Sequence, residues 1–92
     1  MIIRSQDKAF IINFEKVDTV CLGGTEGKSV ITFTDAQLVT LGTYSTEEKA
    51  IKVLDMIQEK YETYIGIANG FEGIQGCYDM PKVFQMPQDS EV

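Results

Sequence analysis

The first 44 residues fall into short runs in which apolar and polar positions alternate, and each run predicts a strand. Residues 1–5 are apolar around β-branched Ile2 and Ile3, and Gln6, Asp7 and Lys8 follow as a break of hairpin length. In 9–14, Phe10, Ile12 and Phe14 share one face while Ile11 and Asn13 take the other, the pattern of a half-buried strand. Glu15 and Lys16 interrupt it, and 17–22 resume it with Val20 and Leu22 on one face and Cys21 on the opposite one. A kink or bulge at the interruption leaves open whether 9–22 is one bent strand or two. A glycine-rich loop at 23–28 leads into SVITFT at 29–34, where Ile31 and Phe33 oppose Val30, Thr32 and Thr34. Residues 34–37 read as a turn and 38–44 as a further strand. Breaks this short suit antiparallel pairing, because parallel neighbours need longer crossovers.

At residue 45 the period changes. Ala50, Leu54, Ile57, Tyr61 and Ile65 recur at helical steps, and Val53 and Tyr64 widen the same stripe. Ser45 and Glu48 fit a capping box at the start, two glutamates suit the first turn, and Gly66 sits where a helix C-cap glycine is expected. The pattern predicts a helix over 46–65, about 30 Å long, against strands of roughly 20–24 Å. The last turns of such a helix, carrying Tyr61, Tyr64 and Ile65, overhang the sheet and call for an apolar partner.

Beyond the helix, Gly70, Gly73 and Gly76 mark a loop, residues 82–86 between two prolines suit a short edge strand, and 88–92 read as a fraying tail. The expected architecture is therefore α+β: a four- to five-stranded, mainly antiparallel meander with one long amphipathic helix packed on one face. One domain spans 1–87, with strands over 1–44, the helix over 46–65 and the glycine-rich loop and short strand over 66–87. A single helix covers one sheet face, which leaves Ile3, Ile11 and Phe33 with their neighbours as a second, partly apolar face.

Composition narrows the chemistry. The chain has 92 residues, 14 Asp and Glu against 8 Lys and Arg, a net charge of −6, two cysteines and no histidine. Without histidine there is no Ser-His-Asp or Cys-His pair and no His-containing zinc site. The acidic balance and a single arginine argue against direct nucleic-acid binding. No apolar run reaches the length of a membrane span and the start lacks a signal-peptide pattern, so the expected compartment is the cytoplasm, with Cys21 and Cys77 as free thiols.

Several motifs tempt and then fail. GGTEGKS lacks the first glycine of a P-loop, since position 22 is leucine, and it precedes a strand rather than a helix. GFEGIQG at 70–76 has its glycines at the wrong spacing for a dinucleotide fingerprint. Asp55, Glu59 and Glu62 share a helix flank with Glu48, which a solvated face explains better than acid–base chemistry or a cation site. Arg4 is expected to pair with Asp7 on the surface. No catalytic residue, cofactor or metal ligand set emerges.

Three stretches, MIIRSQDK at 1–8, LGTYSTEEKAIKVLDMIQ at 41–58 and VFQMPQD at 83–89, resemble a group of small proteins of unassigned function found across Gram-positive bacterial and phage or prophage genomes. The resemblance implies a small accessory protein and brings no catalytic residues with it. The expected function is a non-enzymatic protein–protein interaction or assembly module, homo-oligomeric or bound to another protein, with Tyr61, Tyr64, Ile65, Ile11 and Phe33 as the candidate interface. The alternative is an acidic regulator that occupies the basic surface of a nucleic-acid-binding protein. A carboxylate-based hydrolase ranks third.

Overall fold

The structure, a computed structural model, describes residues 1–17, 19–34, 37–68 and 83–92, with helix side chains described to Thr63. The class is α+β. Strands β1 (Ile2–Arg4) and β2 (Ile11–Asn13) form an antiparallel hairpin, followed by β3 (Val20–Gly23), β4 (Ser29–Thr34), β5 (Gln37–Thr43), helix α1 (Glu47–Ala68) and β6 (Val83–Gln85).

The expected single meander is replaced by two three-stranded sheets, ordered β2-β1-β6 and β3-β4-β5. The division falls at Glu15 and Lys16. There Phe14–Lys16 winds into a 3-10 turn whose first residue is preceded by Asn13, and the Asn13 side chain accepts the Glu15 N–H at 3.0 Å. A ladder cannot run through that turn, so 9–22 becomes two strands in different sheets. The free edge of β1 is then taken by β6, which pairs in parallel, Ile3 opposite Phe84. A parallel neighbour is reachable because α1 and the chain up to residue 82 supply the long crossover that it requires. The edge strand expected at 82–86 is thus present as β6. Gln6 stitches the sheets together: its N–H donates to the Leu41 carbonyl at 2.8 Å and its Oε1 accepts the Thr43 N–H at 2.9 Å.

The core lies between the sheets and α1. Ile3, Val30, Ala50, Val53 and Met86 are wholly buried, with Leu41, Tyr44, Ile57 and Phe84 packed around them. Ile3 therefore does not belong to an outer face. It stands opposite Ile12 and Phe84 on the inward side of its sheet, while Ile2 and Arg4 alternate outward. Leu41 enters the core through a bulge: Val30 pairs with Gly42 and Ile31 with Thr40, so Leu41 is the extra residue on β5.

The helix begins one residue later than the capping-box reading. Thr46 Oγ1 accepts the Lys49 N–H at 3.1 Å, the geometry of an N-cap, and Ser45 is left outside. Gly66 lies inside the last turns instead of ending them, and the helix runs to Ala68. Glycine in a helix interior is unfavourable by about 1 kcal/mol relative to alanine, too little to stop a packed helix.

The end of the chain does not fray. Asp89–Glu91 forms a 3-10 turn closed by its own capping box with Gln88, and Met86 and Pro87 are buried. Side chains of the body grip the backbone of this strap. The Pro87 carbonyl accepts from Tyr44 OH at 2.9 Å and from Gln6 Nε2 at 3.2 Å, and the Asp89 carbonyl accepts from Lys49 Nζ at 2.9 Å. The glycine-rich loop expected beyond the helix lies, from residue 69 onward, outside the described residues.

Candidate interaction surface

The clearest surface belongs to the β3-β4-β5 sheet, and alternation builds it. Val20, Leu22, Val30, Thr32 and Val39 turn toward the core, whereas Cys21, Ile31, Phe33, Leu38 and Thr40 take the outer face. Thr32 is buried without an orphaned hydroxyl, because Oγ1 donates to the Thr19 carbonyl at 2.7 Å. On the outer side Phe33 stands directly opposite Leu38, 43% and 57% exposed. Ile31 beside them is nearly covered because it folds over Gly23, where a Cβ would collide with the Ile31 Cδ1. None of the residues of β3, β4 and β5 is charged.

The five candidate interface residues do not converge. Phe33 lies on this face. Ile11, 55% exposed, lies on the outer side of the other sheet, where its neighbour across Arg4 is Gln85. Tyr61 rests on Phe14, ring centroids 4.8 Å apart at 53°, and the two line a groove of about 330 Å³ with Val20, Leu54, Ile57 and Gln58. The side chains of Tyr64 and Ile65 lie outside the described residues. Leu38 is the residue the sequence reading passed over. Its signal was present: a turn over 34–37 sets Phe33 and Leu38 opposite each other.

A larger groove of about 590 Å³ runs between α1 and β6, lined by Met56, Glu59, Lys60, Thr63, Val83, Phe84 and Gln85. Among the described residues that line it, Glu59 is the one carboxylate. Among the described residues no three of Cys, Asp and Glu come together as a metal cluster. No helix among them is long and apolar enough to cross a membrane. Cys21 is a free thiol.

The electrostatics serve structure. Arg4 donates through Nε and Nη2 to the Lys8 carbonyl, at 3.1 and 2.8 Å, instead of pairing with Asp7. The Asp7 carboxylate is occupied within its own turn, accepting from Ser5 Oγ at 2.6 Å and the Ala9 N–H at 2.9 Å, and these bonds hold its pKa below the ordinary value. Asp89 is likewise lowered, first by the Ser45 N–H at 2.7 Å and then by Lys49. Burial, followed by the charges of Asp89 and Glu91, pushes the Tyr44 hydroxyl up to about 12. The loop GGTEGKS closes the β3-β4 hairpin with Gly24 and Gly27 at positive φ, and its 3-10 turn is not a helix that could cradle phosphate.

Compared with protein-family models, curated proteins and solved structures, the chain matches none of them.

Proposed function

We propose that this chain is a non-enzymatic protein–protein interaction module that assembles with copies of itself, a small cytoplasmic accessory protein of phage or prophage origin. The observation that carries the reading is the uncharged outer face of β3-β4-β5 with its exposed Phe33–Leu38 pair. A one-sided antiparallel sheet facing water normally carries charge on its solvent face. Here a chain with 22 charged residues among 92 places none on three consecutive strands. Copies that each carry a net charge of −6 repel one another at a distance. A face free of charge is where they can meet without opposing carboxylates. The test is sedimentation velocity of the full chain against Phe33→Lys/Leu38→Lys. Concentration-dependent association that the double variant weakens at least tenfold supports the reading; equal association in both overturns it.

A second reading rests on the exposed carboxylates of Glu48, Asp55, Glu59 and Glu62 along α1. An acidic helix flank of this kind fits the basic surface of a nucleic-acid-binding protein. Charge-led binding must weaken as salt rises from about 0.1 to 1 M, and salt-insensitive capture of such a partner sinks this reading.

A further inference from the structure

We draw no further inference here: the strongest candidate, the groove of about 590 Å³ between α1 and the edge strand β6 with exposed Met56 and Val83 on its walls, carries none, because nothing in the structure shows what covers it.

Discussion

Tyr44 joins the core to the C-terminal strap. It is 3% exposed, packs in the core, and its hydroxyl ties the strap at Pro87 to the body. Tyr44→Phe keeps the ring and leaves the Pro87 carbonyl to Gln6 alone; the expected loss is about 1–2 kcal/mol, read as a fall in thermal midpoint of roughly 4–16 °C. The same residue sets an alkaline limit. A tyrosine raised from its ordinary 10.0 to about 12 stabilises the fold below pH 10, and that contribution is lost as pH rises through 12. Ultraviolet absorbance of tyrosinate, compared between the unmodified chain and Tyr44→Phe, should therefore show a late-titrating component that belongs to Tyr44, coincident with unfolding. Lys8 carries the opposite kind of signal: its φ of 63° closes the β1-β2 turn in a conformation that favours glycine. Arg4 and Ser5 contact only backbone there, through the Lys8 carbonyl and N–H. Lys8→Gly is expected to leave the turn intact and raise stability by about 0.5–1 kcal/mol, measured by urea denaturation.

At the scale of elements, the strap and the start of α1 form one unit through Asp89. Its carboxylate accepts the Ser45 N–H and the Lys49 ammonium, at 2.7 and 3.4 Å, just ahead of the helix. Because its folded pKa lies below the ordinary 3.8, the stability it adds is present above that value and drains as pH falls through the lowered pKa. Asp89→Asn is expected to lower stability at neutral pH and to flatten the acid limb of a stability–pH profile. An unaltered acid limb contradicts this role. The elements also show what local pattern can reveal. The faces of β3 and β4 and the stripe of α1 were legible, because alternation and helical period are properties of adjacent residues. The parallel pairing of β6 with β1 was not, since nothing near residue 84 records that Ile3 will be its neighbour. The tail misled for a related reason. Gln88 and Asp89 look like solvated polar residues until long-range contacts with Gln6, Ser45 and Lys49 employ them. The candidate interface was legible only in part: Phe33 was visible as an outward residue, but its pairing with Leu38 emerges only when the turn is closed.

For the whole molecule, the organisation is two small sheets sharing one helix and one core, held together by Gln6 and by the strap that bonds to it. Each sheet keeps an outward face, and the two faces differ. The β2-β1-β6 face mixes exposed Ile11 and Val83 with Arg4, Asn13 and Gln85, an ordinary solvated surface. The β3-β4-β5 strands carry no charged residue and show an apolar pair beside the β4-β5 turn, in a chain whose overall charge drives copies apart. Self-assembly through that sheet is read out by sedimentation velocity of the unmodified chain from low to several hundred micromolar at moderate salt. The expected mass climbs with concentration from the 10.3 kDa monomer toward a dimer and beyond. A single species of 10.3 kDa throughout would contradict it.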